Sequence, residues 1–304
     1  MLALVAQRNR PARLKEVPAP HPAPGEILVR VRLVGVCKTD LACARGDIRV
    51  PNGRVLGHEA VGTIVQSNGN RRYAEGARVA ILPWIHCATC PDCLANRPQR
   101  CRAARFLGID RDGAFGELLA VPVRAVIHIP SSLSWHLAAL LEPVNAARAI
   151  LRPLERITGR VGLLAEGRFL TLLQLVSEDL PETLRLSVWR KEETYDAVVD
   201  AVGSARSMSL AVESTRPGGT VILKSRPHAP IPFPVRPVVL KELTIRGANY
   251  GAFPASLDWL VRRARRLEPL LGRTYPLAQF QSAFENGDEA VKTFIEIGDH
   301  VCVD

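Results

Sequence analysis

The stretch His86-Cys-Ala-Thr-Cys-Pro-Asp-Cys-Leu-Ala-Asn-Arg-Pro-Gln-Arg-Cys101 carries four cysteines, Cys87, Cys90, Cys93 and Cys101, in the spacing C-x2-C-x2-C-x7-C. Two-residue gaps let successive thiolates turn toward one ion, and the longer loop returns the fourth to close a tetrahedron. Four thiolates leave no open coordination position, so the expected occupant is a structural zinc. An iron–sulfur cluster also takes four cysteines. The β-rich surroundings and a second set of metal-binding residues favour zinc. With four thiolates at hand, His86 reads as a bystander. The chain has seven cysteines, and crowding four of them into one segment points to metal rather than disulfides.

Around this segment the chain reads as short strands cut by Gly and Pro. Glu26–Val34 alternates after a turn-rich lead-in, and Ala60–Gln66, Arg78–Leu82, Gly116–Val121 and Ala125–Ile129 are further strand candidates. The spacing predicts a compact β-barrel with functional loops. Past residue 132 the pattern changes. Ser134 can cap a helix over Trp135–Leu141, and Val144–Leu151 reads as another. Buried strands are expected at Arg160–Ala165 and Tyr195–Val202, helices at Arg168–Ser177 and Ser207–Ser214, and later strands at Gly219–Leu223 and Leu243–Gly247. Strands alternating with helices predict a parallel sheet covered on both faces.

The formal charge of +10 invites a nucleic-acid partner, but the arginines are scattered. The densest run, Arg262-Arg263-Ala264-Arg265-Arg266, reads as a solvated helix face opposite Leu260 and Leu267. No nucleic-acid partner is expected. Apolar runs such as Val161–Ala165 are too short to span a bilayer, and Met1–Arg8 lacks a leader pattern. A cytoplasmic protein of two domains, without a membrane partner, is the expectation.

A second constellation lies in Gly35-Val-Cys-Lys-Thr-Asp40, Gly57-His-Glu-Ala-Val-Gly62 and Leu141-Glu-Pro143. Cys37, His58, Glu59 and Glu142 offer one thiolate, one imidazole and two carboxylates, a set that leaves a position open on a divalent ion. Such an ion is a Lewis acid for an alcohol or carbonyl oxygen. In this order, together with Pro22-Ala-Pro-Gly-Glu26, Asp112-Gly-Ala-Phe115 and Arg216-Pro-Gly-Gly219, these residues resemble the medium-chain dehydrogenase/reductase family, near its sorbitol and threonine dehydrogenase-like alcohol dehydrogenases. The resemblance implies a GroES-like β-barrel catalytic domain over 1–146, a shortened Rossmann-type nucleotide-binding domain over 147–267, and a C-terminal return to the catalytic domain over 268–304. It implies one catalytic and one structural zinc. Cys37, His58 and Glu59 match the catalytic ligands, and Glu142 the carboxylate that binds directly or exchanges with water. Thr39 matches the hydroxyl that takes the alcohol proton, Asp40 stands behind the ligands, and Lys38 faces the cofactor pyrophosphate. The implied reaction is hydride transfer between a secondary alcohol or polyol, or its ketone, and NAD(P). Pairing of copies into a homodimer or homotetramer through Leu243–Gly247 is implied as well. The relay histidine that relatives place three residues beyond the threonine is Ala42 here.

The cofactor half departs from the pattern. Ala165-Glu-Gly167-Arg-Phe-Leu170 stands where G-x-G-x-x-G belongs and keeps only the middle glycine. Gly167 and Arg168 are the residues expected at the pyrophosphate. After the candidate strand Leu184–Val188, Trp189-Arg190-Lys191 replaces the usual acidic residue, which favours NADP over NAD with Arg190 at the extra phosphate. Gly203 and the pair Lys224-Ser225 fall at carboxyl ends of strands, where a dinucleotide would lie. About six residues separate Trp189 from Tyr195, whereas a parallel crossover takes a dozen or more. A helix, a strand and a further helix are therefore expected to be missing. Leu184–Val188 is expected to run antiparallel or to lie outside the main sheet. Two other readings stay open: a zinc-dependent non-redox enzyme (lyase, hydratase or isomerase) on the same scaffold, and a non-catalytic relative.

Overall fold

A computed structural model describes residues 1–8, 10–287 and 289–298. The chain divides into two compact units, Met1–Glu142 with Phe253 to the C-terminus, and Pro143–Ala252. The sequence reading put these divisions at 146/147 and 267/268. The second falls earlier because the helix that begins at Phe253 belongs to the first unit and buries Ser256, Leu257, Trp259 and Leu260. Residues 299–304 of the expected C-terminal segment lie outside the described residues.

The first unit opens with an antiparallel hairpin, β1 (Leu2–Gln7) and β2 (Arg10–Glu16). Its second strand buries only Ala12, so no alternation announces it. The spine is β3 (Glu26–Gly35), the alternating stretch of the sequence. It pairs along its length with β4 (Glu59–Gln66), which pairs with β5 (Arg78–Ile81). A small ribbon, β6 (Trp84–Ile85) with β7 (Arg105–Phe106), brackets the four-cysteine segment. β8 (Leu118–Pro122) lies on the first half of β3, and β9 (Val126–His128) lies on β5. Helices α1 (Lys38–Arg45), α2 (Pro91–Leu94) and α3 (Trp135–Ala139) sit in the connections. Ser134 caps α3 by accepting from the Leu137 N–H at 3.2 Å. A core containing Ile27, Val29, Val31, Leu56, Phe115 and Val121 fills the barrel.

The second unit begins in α4 (Leu141–Arg148) and α5 (Leu151–Leu154). There follow β10 (Gly159–Leu164), α6 (Gly167–Ser177), β11 (Leu184–Val188), β12 (Tyr195–Asp200), α7 (Ala205–Ser214), β13 (Thr215–Leu223), α8 (Val235–Leu240) and β14 (Thr244–Gly247). The five strands form one sheet in the order β11-β10-β12-β13-β14, parallel throughout. Among the described residues no helix or strand lies between β11 and β12.

That arrangement corrects the expectation for Leu184–Val188, which joins the sheet parallel to β10, with Gly159 opposite Leu184 and Leu163 opposite Val188. The helix of an ordinary crossover is not required for reach. From the end of β11 the chain returns four residues' rise and crosses two strand spacings, about 16 Å in all. Six residues drawn out cover more than 20 Å. The link runs over the sheet face that carries α7. There Trp189 joins Tyr195, Val198, Ala211 and Val212 in one apolar cluster. Trp189 Nε1–H donates to Ser214 Oγ at 2.8 Å, and the Arg190 N–H donates to the Tyr195 hydroxyl at 2.8 Å. A Cβ on Gly162 would stand 3.1 Å from the Tyr195 ring, so this glycine makes room for the ring on β10. A tryptophan and a tyrosine thus cover the surface over β10 in place of a helix.

The chain returns to the first unit through α9 (Phe253–Arg262) and α10 (Ala264–Leu267). It closes with β15 (Leu271–Pro276), α11 (Phe280–Glu285) and β16 (Lys292–Glu296). β16 pairs with the end of β3, Phe294 opposite Gly35. No helix among the described residues is long and apolar enough to cross a membrane.

Candidate active site

Cys37 leaves β3 as the N-cap of α1, with Asp40 at the third helical position. An acidic side chain there reaches back to the N-cap amide, and the Cys37 N–H donates to Asp40 Oδ2 at 2.9 Å. The other oxygen, Oδ1, lies 3.1 Å from His58 Nδ1. One buried carboxylate therefore fixes both the thiol-bearing turn and the imidazole ring, and leaves Nε2 to face a ligand. His58 and Glu59 enter β4 side by side, and the donor atoms of Cys37, His58 and Glu59 all lie within 4.8 Å of one another. Burial alone would strip the proton from His58. The Asp40 carboxylate, with the Cys37 thiol, outweighs it and holds the ring well above its ordinary range. The donor set fits a divalent ion: soft, borderline and hard atoms converge, and a second-shell carboxylate orients the histidine.

Glu142 is buried in the first turn of α4, outside this three-donor group. A residue absent from the sequence reading reaches Glu59. Lys292 on β16, fully buried, forms an ion pair with Glu59. Gly35, between them on β3, is glycine for space, since a Cβ would collide with both the Glu59 carboxylate and the Lys292 stem. The only signal in the sequence is a lysine opening the apolar run Lys-Thr-Phe-Ile295. Phe106 packs on His58 with ring centroids 5.1 Å apart. Thr39 is half-buried on the first turn of α1. Lys38 is exposed and paired with Glu289 at 2.8 Å.

The four cysteines lie in the loop between β6 and β7. Sulfur separations are 3.5 Å for Cys87–Cys101 and 3.9 Å for Cys87–Cys93. A zinc tetrahedron with arms of about 2.3 Å has edges of about 3.8 Å, so the four thiols are spaced for one ion. Hydrogen bonds from the backbone and hydroxyl of Thr89 hold the Cys87 thiol down to about 5, whereas desolvation and the Cys90 sulfur push Cys93 up to about 12. His86 Nδ1 lies 3.6 Å from the Cys93 sulfur, beside the cluster.

In the second unit the turn after β10 leads into α6. Gly167 has φ +55°, begins the eleven-residue helix α6, and is followed by a half-buried Arg168. At the end of β12, Asp200 accepts from the N–H groups of Val202 (2.9 Å) and Gly203 (3.0 Å) and from the Ser207 hydroxyl (3.1 Å). Gly203 is held at φ +74°, with Ser225 packed where its Cβ would be. The buried Lys224 donates to the Asn249 carbonyl at 2.9 Å. Arg190 stands just past β11, 78% exposed and 3.9 Å from Glu193.

Two family models match the chain: the alcohol dehydrogenase GroES-like domain over residues 23–131 and the zinc-binding dehydrogenase over residues 175–264. An alcohol dehydrogenase of Geobacillus stearothermophilus is 30% identical over 82% of this chain and 84% of its own length. L-galactonate-5-dehydrogenase of Escherichia coli K12 is 27% identical, covering 97% of this chain and 98% of the relative. That alignment runs over 341 positions, more than the 304 residues of this chain, so the relative has a stretch that this chain lacks. An alcohol dehydrogenase structure from Thermus sp. ATN1 superimposes with a TM-score of 0.84 at 26% identity, over 98% of this chain and all of that one. The chain belongs to the zinc-type alcohol dehydrogenases of the medium-chain dehydrogenase/reductase family.

Proposed function

We propose that this protein is a zinc-dependent oxidoreductase that interconverts a small secondary alcohol or polyol and its ketone with NAD(P). The observation that carries this reading is the open three-donor set of Cys37, His58 and Glu59, tied together by Asp40. A zinc ion bound there supplies a Lewis acid, and a nicotinamide supplies or accepts the hydride.

The remaining work falls to the chain's own residues. Cys37, His58 and Glu59 hold the ion, with Glu59 rather than Glu142 as the resting carboxylate. Thr39 moves the alcohol proton. With Ala42 in the relay position, that proton leaves through water. Phe106 and Trp84 wall the substrate side. Gly167, Arg168 and Gly203 face the phosphates and nicotinamide ribose. Lys38, already paired with Glu289, can contribute only as an exposed charge. Arg190 and Lys191 place positive charge at the carboxyl end of β11, which supports NADP over NAD. Cys87, Cys90, Cys93 and Cys101 hold the structural zinc.

Two copies pair through the outer edge of β14. Four of the exposed large apolar side chains, Phe233, Val235, Val239 and Leu240, cluster just before that strand, and exposed apolar clusters mark contact surfaces.

The test is metal content with cofactor binding. The wild type is expected to carry two zinc ions per chain and to bind NADH or NADPH saturably, followed by nicotinamide fluorescence. Cys37→Ser is expected to keep one zinc and lose alcohol oxidation. Two zinc ions with neither cofactor bound at millimolar concentration would overturn the redox reading in favour of a non-redox zinc enzyme.

A further inference from the structure

A dinucleotide lies across the carboxyl ends of the strands where the strand order reverses, with its pyrophosphate on the first helix and its adenine ribose at the end of the second strand. In this sheet the reversal is between β10 and β12, so the nicotinamide half falls to the β12–β13 side and the adenosine to β11. The two sides are built unequally.

On the β12–β13 side the turn after β12 is fixed. Asp200 takes three hydrogen bonds from the turn that follows it. Gly203 is clamped against Ser225, whose hydroxyl donates to the Ala201 carbonyl at 2.6 Å. Ser204 and Ser207 cap α7 reciprocally. On the β11 side the strand is the sheet's edge, and the six-residue link turns away at once over the α7 face. Trp189, just past the strand, packs against the apolar cluster beneath α7 and donates to Ser214 Oγ. Among the described residues no strand or helix follows β11 to give a purine a second wall. What remains there is Arg190, 78% exposed and beside Glu193, and the exposed Lys191. A walled purine buries enough apolar surface to change affinity more than a hundredfold. An exposed charge contact changes it by about fivefold at most.

Resting on the redox reading above, we infer that this chain recognises a nicotinamide nucleotide through its nicotinamide ribose and phosphate and leaves the adenosine without a pocket, so that reduced nicotinamide mononucleotide is a ligand in its own right. The full zinc-loaded chain is titrated with NADPH, with reduced nicotinamide mononucleotide and with 2′,5′-ADP. The first two are followed by nicotinamide fluorescence and all three by calorimetry. The expected result is a mononucleotide dissociation constant less than about a hundredfold above that of NADPH, with 2′,5′-ADP binding more weakly than the mononucleotide. NADPH binding with the mononucleotide a hundredfold or more weaker, or with 2′,5′-ADP the tighter fragment, would overturn the inference and leave the redox reading standing. Failure of the mononucleotide alone would overturn the inference, and failure of NADPH, NADH and the mononucleotide alike would sink both.

Discussion

Asp40 and Lys292 show how single side chains decide this metal site. Asp40 is an ordinary helix-start residue that also holds His58, a proposed zinc ligand, so its two oxygens serve two partners at once. Replacing it with Asn sets an amide donor against either the Cys37 N–H or the ring. Zinc affinity at this site is expected to fall about 10- to 100-fold, read by competition with a chromophoric chelator while the four-cysteine site serves as internal reference. Lys292 is a different case. It neutralises Glu59 inside a core with almost no access to water. Removing one partner of such a pair costs about 3–5 kcal/mol, and an ion on Glu59 would offset part of that. Lys292→Met is therefore expected to lower the unfolding temperature, and zinc removal is expected to widen the gap from wild type. An equal loss with and without zinc would separate the lysine from the site. At this scale the donor atoms were legible in the sequence, because Cys37 comes two residues after the glycine that ends a strand and His58-Glu59 follow a glycine at the start of one. Lys292 was not. It sits 233 positions from Glu59, and only the pairing of β16 with β3 brings the two together.

At the level of strands and helices, the clearest departure is the link between β11 and β12. The sequence shows its length, and the rule that parallel strands need long crossovers argued against a parallel β11. That rule describes helical crossovers. It gives way when a link can run extended and when aromatic side chains replace the helix as cover, and Gly162 with Tyr195 supplies that condition. No local pattern in Trp189–Thr194 declares it. The amino edge of the same sheet is pinned by Asp196, which accepts from the Arg160 N–H at 2.7 Å and from Arg216 Nε at 2.5 Å, tying β10, β12 and β13 together. Burial alone would raise its pKa. The Arg160 amide and the Arg216 guanidinium outweigh burial and hold it below the ordinary carboxylate range. A lowered folded value stabilises the protein above the unfolded pKa of about 3.9, and that contribution fades as pH falls through the lowered value. Asp196→Asn is expected to cost about 1–2 kcal/mol at pH 7, measured from urea midpoints, with the difference from wild type shrinking as the pH falls through the lowered value.

On the scale of the whole chain, the two units were legible as a change of period near residue 132. The second boundary was not, because a helix that leaves one unit and begins another carries no mark of its destination. The exposed apolar cluster at 233–240 was equally silent: nothing in Phe-Pro-Val-Arg-Pro-Val-Val-Leu marks which of its apolar side chains the fold turns outward. Val239→Asp with Leu240→Asp is expected to halve the mass measured by light scattering without lowering the unfolding temperature of the isolated chain. An unchanged mass would place the subunit contact elsewhere.

The short link also bears on how the sheet assembles. Parallel strands are slow to find one another because a long crossover must close before any contact rewards it. Here only six residues lie between β11 and β12, so much of that search is gone. Closure entropy rises with the logarithm of loop length, and a taut connection has little freedom to lose. A two-strand nucleus of β10 and β11, once formed, holds the start of β12 within reach of its place, and the rest of the sheet can grow outward from that edge.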